Sequence, residues 1–220
     1  PRARAEANIA AIEVLNTLDR ENRPASAEEQ QVLARYSSWG AASAVFNRQD
    51  TSYADLRDRL ASVTTDEQYR RMEESTLTAF FTGDEVIRPL WSALRAAGYE
   101  GGPVLEPGSG TGNFISHAPD TADAVGVEID PTAARIAQYL YPQATIVNSG
   151  FEKFQPRDNT FAAAIGNVPF GDFQLHDPQH NQQSHSIHNH FIVKSINLVQ
   201  PGGYVALVTS SYTADSLSSD

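Results

Sequence analysis

The segment LEPGSGTGNF, residues 105–114, sets three glycines at alternate positions, Gly108, Gly110 and Gly112, directly behind an apolar strand and an acid, Glu106. Glycines at that spacing suit a turn whose backbone bends sharply and approaches a ligand with no Cβ in the way. A glycine-rich strand–helix turn that binds nothing has the same pattern, so the loop alone leaves both readings open. Eighteen residues beyond Gly110, at the end of the next apolar run, stands Glu128 of GVEIDP. A carboxylate there can accept hydrogen bonds from both hydroxyls of a ribose. Together the two motifs point to a ribose-bearing cofactor. Asn113 and Phe114 at the end of the loop, and Ile129 beside the acid, are further candidates for contact with it.

A third motif separates nicotinamide cofactors from S-adenosylmethionine. The apolar run FAAAIG leads straight into Asn167, Val168, Pro169, Phe170 and Gly171. This turn resembles that of the amino-group methyltransferases, which carry Asn/Asp-Pro-Pro-Phe/Tyr and use S-adenosylmethionine. The resemblance implies that Asn167 and the Val168 carbonyl accept hydrogen bonds from an exocyclic amine, that Pro169 shapes the turn, and that Phe170 stacks on a flipped-out base. Such an amine needs no strong base before attack, so positioning dominates the chemistry. Val168 departs from the usual proline: the carbonyl survives the change, but the turn is less pre-organised.

Two weaker matches follow the same order. AFFTGDEVI, with Thr82 ahead of a helix, resembles the segment that touches the cofactor's methionine part in the adenine-N6 class. GFEKF, residues 150–154, stands where that class shows Asp-Phe, which implies that Phe151 packs on the cofactor adenine. Gly150 replaces the aspartate, so either Glu152 substitutes for it or that contact is missing. More narrowly, the chain is similar to the methyltransferase part of very large methylase–helicase fusion proteins of phages, plasmids and other mobile elements. VLARYSSWGAASAVF, STLTAFFT, VLEPGSGTGNF, IGNVPFGDF, IHNHFIVKSINLVQPGG and VTSSYTAD carry that similarity. It implies adenine-N6 methylation of DNA linked to modification or protection from restriction, DNA gripped by regions outside this chain, and a helicase domain in the same polypeptide. It also implies two further edge strands and a target-recognition region beyond residue 220.

These motifs require a particular set of elements. From residue 76 onward the expected elements are a helix from Thr82 to a stop at Gly98, strands Val104–Leu105 and Ala124–Ile129, helix Thr132–Leu140, strands Thr145–Val147 and Phe161–Gly166, helix His188–Val199 and strand Tyr204–Thr209. Five strands with helical crossovers give a doubly wound, mostly parallel α/β sheet, Rossmann-like, and with the resemblance a class I methyltransferase core over residues 76–220. Gly202-Gly203 reads as a turn before the last strand. Residues 1–75 read as a helical N-terminal cap. Ile9, Ile12, Leu15 and Leu18 recur near helical spacing, Ser26–Glu29 forms a capping box, and Thr51 and Thr65 are expected to cap two more helices. YSSWGAASAVF reads as a packing or docking loop.

Composition narrows the function classes. The 220 residues contain no cysteine, which excludes disulfides, thiolate metal sites and cysteine nucleophiles. The chain carries 16 basic and 27 acidic residues, a net charge of −11, which argues against a free-standing nucleic-acid binder. No apolar run approaches the roughly 20 residues that span a bilayer. PRARAEANIAAIEVL carries glutamates early, against a signal peptide, and the missing initiator methionine suggests a piece of a longer chain. The expected location is the cytoplasm of a bacterial or phage-infected cell, or a virion.

Five histidines crowd residues 176–190. They raise a metal hypothesis, but no helical His pair with a catalytic Glu accompanies them, and the reading is a solvated loop that folds over the target base. Methylation of RNA adenine or protein glutamine, and a non-catalytic scaffold or decoy, remain open alternatives. The oligomeric state is not readable from these residues.

Overall fold

The computed structural model describes residues 1–76, 82–171 and 173–210. Residues 77–81, Asp172 and residues 211–220, which bear part of the quoted phrases, lie outside the described residues. The chain divides into two compact units, Pro1–Phe81 with Arg135–Leu140, and Thr82–Ala134 with Tyr141–Asp220.

The first unit is built from α1 (Arg2–Glu21), α2 (Ala27–Leu33), α3 (Ala54–Val63) and α4 (Asp66–Ser75). Ser26 opens α2 with the expected capping box, its hydroxyl accepting from the Glu29 amide while the Glu29 carboxylate accepts from the Ser26 amide. Thr65 does the same for α4 with Gln68. Thr51 does not cap the third helix. Asp50 accepts from the Ser52 amide, and a single 3-10 turn, Thr51–Tyr53, precedes α3. Ile9, Ile12, Leu15 and Leu18 are buried with Leu56 and Leu60. Trp39 is buried too and meets Phe46 edge-on with ring centroids 5.3 Å apart, so this face of the YSSWGAASAVF loop serves packing. The loop is pinned by Asn8, whose side chain donates to the Ser38 carbonyl and accepts from the Ser37 amide.

The second unit contains α5 (Asp84–Ala97), β1 (Gly102–Pro107), β2 (Ala122–Glu128), the start of α6 (Pro131–Leu140), β3 (Thr145–Asn148), β4 (Phe161–Asn167), α7 (Ile187–Leu198) and β5 (Val199–Val208). The five strands are parallel in the order β3-β2-β1-β4-β5. Chain order reverses between β1 and β4, the place where doubly wound sheets open a crevice at the carboxyl ends of their strands. Neighbouring residues of β1 serve opposite faces. Val104 packs with Ile87, Trp91 and Leu94 of α5, whereas Leu105 packs with Phe191 and Leu198 of α7. Helices on both faces explain why the strands read as nearly continuous apolar runs.

Most boundaries shift by a residue or two from expectation, and three differences have a clear local cause. The first helix of this unit begins at Asp84 rather than Thr82, with Gly83 as its N-cap and Asp84 and Glu85 complementing the helix dipole in the first turn. It ends as expected at Gly98, whose φ of 109° is the left-handed conformation that glycine tolerates. The last strand begins at Val199, so Gly202-Gly203 lies inside β5 instead of before it. The pairing with β4 shifts register there, and a Cβ at Gly203 would lie 2.6 Å from the Ala162 carbonyl oxygen. The glycine loop leads into a 3-10 turn, Ile115–His117, in place of a short α-helix.

Candidate cofactor and target site at the carboxyl ends of the strands

All of the candidate site belongs to the second unit. The glycine loop leaves β1 and is tied to β2 at once, because the amides of Gly108 and Ser109 both donate to the Val127 carbonyl, at 2.9 and 3.0 Å. Gly112 has a φ of 83°, and a Cβ there would lie 2.8 Å from the Tyr141 ring, so both backbone conformation and space demand glycine. At Gly108 the neighbours are Phe191 of α7 and the third motif. Within 4 Å of the point a Cβ would occupy stand Pro169 Cδ and the Asn167 carbonyl oxygen. The fold therefore brings the glycine loop and the Asn167–Phe170 turn side by side.

Glu128 is 9% exposed. Its Oε2 accepts from the Gly110 amide and its Oε1 from the Asp130 amide, both at 2.7 Å. Each carboxylate oxygen has a second lone pair, so these bonds leave capacity for two hydroxyl donors. Burial pushes the carboxyl up to about 7, against the pull of the two amides. Glu106 accepts from the amides of Ile115 and Phe114, at 3.0 and 3.3 Å. Burial pushes it up to about 8, with Glu128 adding like-charge repulsion. Two buried carboxyls with raised affinity for protons form a setting that a cationic ligand would stabilise in the ionised form.

The other expected contacts divide. Thr82 and Asn113 are brought together, Asn113 Nδ2 donating to the Thr82 carbonyl at 3.3 Å. Ile129 follows Glu128 with 71% of its surface exposed, an apolar side chain at the strand end. Phe114 and Phe151 differ from expectation. The Phe114 ring is buried against α5, its carbonyl accepting from Trp91 Nε1 at 2.9 Å, so only its backbone faces the loop. The Phe151 ring is 3% exposed and stands 4.7 Å from the Phe191 ring, filling the core between sheet and α7 in place of offering a face to an adenine. Beside it, the Glu152 carboxylate folds back into the space that a side chain at position 150 would take. An acid thus stands where Gly150 lacks one.

Asn167 ends β4. Its Oδ1 is buried and has no hydrogen-bond partner, a costly state for an acceptor. Val168 is buried in the core, and its amide donates to the Val208 carbonyl at 3.0 Å. A proline could not make that bond, so the departure from Pro-Pro has a structural reason. Phe170 is 39% exposed, a large aromatic surface next to the buried acceptor.

Sequence reasoning missed two features. Ser109 Oγ is buried without a partner inside the glycine loop. The histidine-rich segment is exposed along much of its length, as a solvated loop should be, but it carries a buried anchor that the sequence reading did not foresee. Asp177, His180, Asn181 and His190 are buried, and Asp177 pairs with Lys194 of α7. Burial pushes Asp177 up, but hydrogen bonds from Lys194 and His190 outweigh it and hold the carboxyl below the usual range. Burial pushes His190 and Lys194 down. Among the described residues no group of three or more acids and histidines could hold a metal. None of their helices is long and apolar enough to cross a membrane.

No protein-family model matches the chain. It is 24% identical over 212 residues to Defense against restriction protein B of Escherichia phage P1, covering 94% of this chain but 8% of that protein. A solved structure from Listeria monocytogenes, assigned as a class I S-adenosylmethionine-dependent methyltransferase, aligns with a TM-score of 0.55 at 14% identity, over 96% of this chain and 76% of its own. The methyltransferase subunit of a type I restriction-modification system from Streptococcus thermophilus aligns at 0.47 and 16% identity, over 72% of this chain and 43% of its own. The Listeria match, together with the strand order, establishes a Rossmann-like class I methyltransferase fold with a helical N-terminal region.

Proposed function

We propose that this chain is the S-adenosylmethionine-binding and catalytic segment of an enzyme that methylates the N6 amine of adenine in DNA, in the service of DNA modification or protection from restriction. The observation that carries the proposal is the orphaned acceptor. Asn167 Oδ1 is buried and unpartnered, and the Asn167 carbonyl lies against Gly108 of the glycine loop. A group held at that cost asks for a donor from a ligand.

The residues present fit S-adenosylmethionine. Glu128 retains acceptor capacity for ribose hydroxyls, and Ile129 offers an exposed apolar face beside it. Glu152 supplies a carboxylate for an exocyclic amine at the place vacated by Gly150. Glu106, buried behind the loop, favours the positive charge of the cofactor's methionine end. The cofactor supplies a methyl group on a positively charged sulfur.

The protein's part in the reaction is orientation. Asn167 Oδ1 and the Val168 carbonyl accept the two N–H donors of the adenine amine, which turns the nitrogen lone pair toward the glycine loop. Phe170 holds the extruded base by stacking. Because the amine nitrogen is already neutral, placement at reacting distance accounts for most of the acceleration. The proton lost after transfer passes to solvent. The net charge of −11 fits a DNA grip supplied outside these residues. The relative from phage P1 carries defence against restriction in its name, which supports the biological setting.

The experiment is label transfer from methyl-labelled S-adenosylmethionine, offered to DNA, RNA and protein glutamine in parallel. The proposal expects label at adenine N6 of DNA and its loss in Asn167→Ala. Label in RNA or protein alone, or transfer unchanged in Asn167→Ala, contradicts it.

A further inference from the structure

The catalytic reading makes no use of the segment between Phe170 and α7, yet one carboxylate inside it gathers donors from three directions. Asp177 is 1% exposed. Its Oδ2 accepts from Lys194 Nζ at 2.7 Å and His190 Nε2 at 3.0 Å, both on α7. Its Oδ1 accepts from the amides of Gln179 and His180 in its own loop and from Gln155 Nε2, each at 3.2 Å.

Two of these donors reach onward to the same place. Lys194 Nζ also donates to the Phe151 carbonyl at 2.7 Å, and Gln155 Nε2 also donates to the Glu152 carbonyl at 2.8 Å. The receiving segment follows β3 and is joined to the ribose acid, since the Ser149 amide donates to the Glu128 carbonyl at 2.9 Å. At its other end the Asp177 loop is closed directly behind the target turn. The Ile187 amide donates to the Phe173 carbonyl at 2.9 Å, and Gln174 bridges Ser186. Asn181 braces the loop from within through Leu175 and His185.

We infer that Asp177 and Lys194 are positioning residues that couple the cofactor-side segment 149–155 to the loop 173–186 behind the target turn. This rests on the proposed function for the meaning of the two sides, but the coupling itself is a property of the chain. A fully buried ion pair costs desolvation that a packed apolar pair would avoid, so it is weak support for stability and better support for a fixed geometry. With Lys194 and Gln155 each spanning both segments, neither segment can shift without breaking bonds in the other. Cofactor binding that orders residues 149–155 therefore also orders the wall beside Phe170.

The test is hydrogen–deuterium exchange on the full 220-residue chain, with and without S-adenosylmethionine, for the native protein, Lys194→Met and Gln155→Ala. Gln155 is exposed, so its truncation removes one span while leaving the fold intact, and it decides the question if Lys194→Met fails to fold. In the free protein, Lys194→Met is expected to speed exchange about tenfold or more in both segments, and Gln155→Ala several-fold in both, with β2 unchanged. In the native chain the cofactor is expected to protect both segments. In Lys194→Met, where the Gln155 span remains, protection of 149–155 is kept and that of 173–186 is expected to fall several-fold. A response in only one segment to either substitution, or cofactor protection of 173–186 that is undiminished in Lys194→Met, overturns the coupling. If the cofactor protects no part of the native chain, the functional reading fails, and the free-protein comparison still decides the coupling.

Discussion

The Gly110 amide donates a 2.7 Å hydrogen bond to Glu128 Oε2, so the candidate ribose acid also fixes the middle of the glycine loop. The other oxygen holds the Asp130 amide at the turn into α6. One side chain thus shapes the glycine loop and the turn into α6 at once. Glu128→Gln tests this tie. The amide keeps the shape but sets an NH2 group against one of two N–H donors, and this clash is expected to cost about 1–3 kcal/mol, read from urea unfolding. An unchanged unfolding midpoint would show that the two amides do not depend on the carboxylate.

The buried carboxyls make stability depend on pH. Glu106 and Glu128 have ordinary values of 4.5 and are raised in the folded protein to about 8 and about 7. The folded state therefore prefers their protonated forms. The stability they contribute is full below about 4.5 and is lost as pH rises through 7 and 8. The thermal midpoint should fall between pH 5 and roughly pH 8.5, and Glu106→Gln should flatten the fall. A cationic cofactor pulls the same groups toward ionisation, so its affinity should rise over that interval, approaching about tenfold per pH unit below the upper value. Calorimetry at several pH values reads both slopes, and a cofactor affinity indifferent to pH contradicts the second.

Asn167→Ala should separate function from stability. Its Oδ1 has no partner in the folded protein, so removing it relieves a desolvation cost and leaves the unfolding midpoint unchanged or slightly raised. Methyl transfer should drop about 100-fold or more through loss of orientation. A marked loss of stability in this variant would mean that the side chain is a structural tie.

Val168→Pro would make this turn match the usual signature, yet it should weaken the protein. The Val168 amide donates to the Val208 carbonyl, and a proline removes that donor from the β4–β5 pair. The expected loss is about 1–3 kcal/mol in chemical unfolding. A stabilised variant would show that the turn tolerates proline without the bond.

Much of this was legible in the residues because local rules and tertiary packing agree. Gly98 ends α5 where a left-handed residue was needed, and the apolar runs around Val104, Val127 and Ile165 are buried on both faces as parallel strands require. Two positions misled because type does not fix direction. Phe151 and Phe114 are aromatic residues in cofactor motifs, but each ring gains more from burial in the core than from the open cleft. Lys194 and His190 sit four residues apart on α7 among apolar neighbours, the one signal that the histidine-rich loop has a buried anchor. Its partner Asp177 lies seventeen residues before Lys194, and no periodicity links them. The short 3-10 turns at Thr51 and Ile115 were invisible because capping residues mark helix starts without fixing their length.

The most direct measurement is calorimetric titration of S-adenosylmethionine into the native chain, Glu128→Ala and Asn167→Ala, each verified as folded. The account predicts micromolar binding by the native chain and by Asn167→Ala, with affinity about 10- to 100-fold weaker in Glu128→Ala. A folded native chain that binds none of it, or binding that Glu128→Ala leaves untouched, contradicts the account.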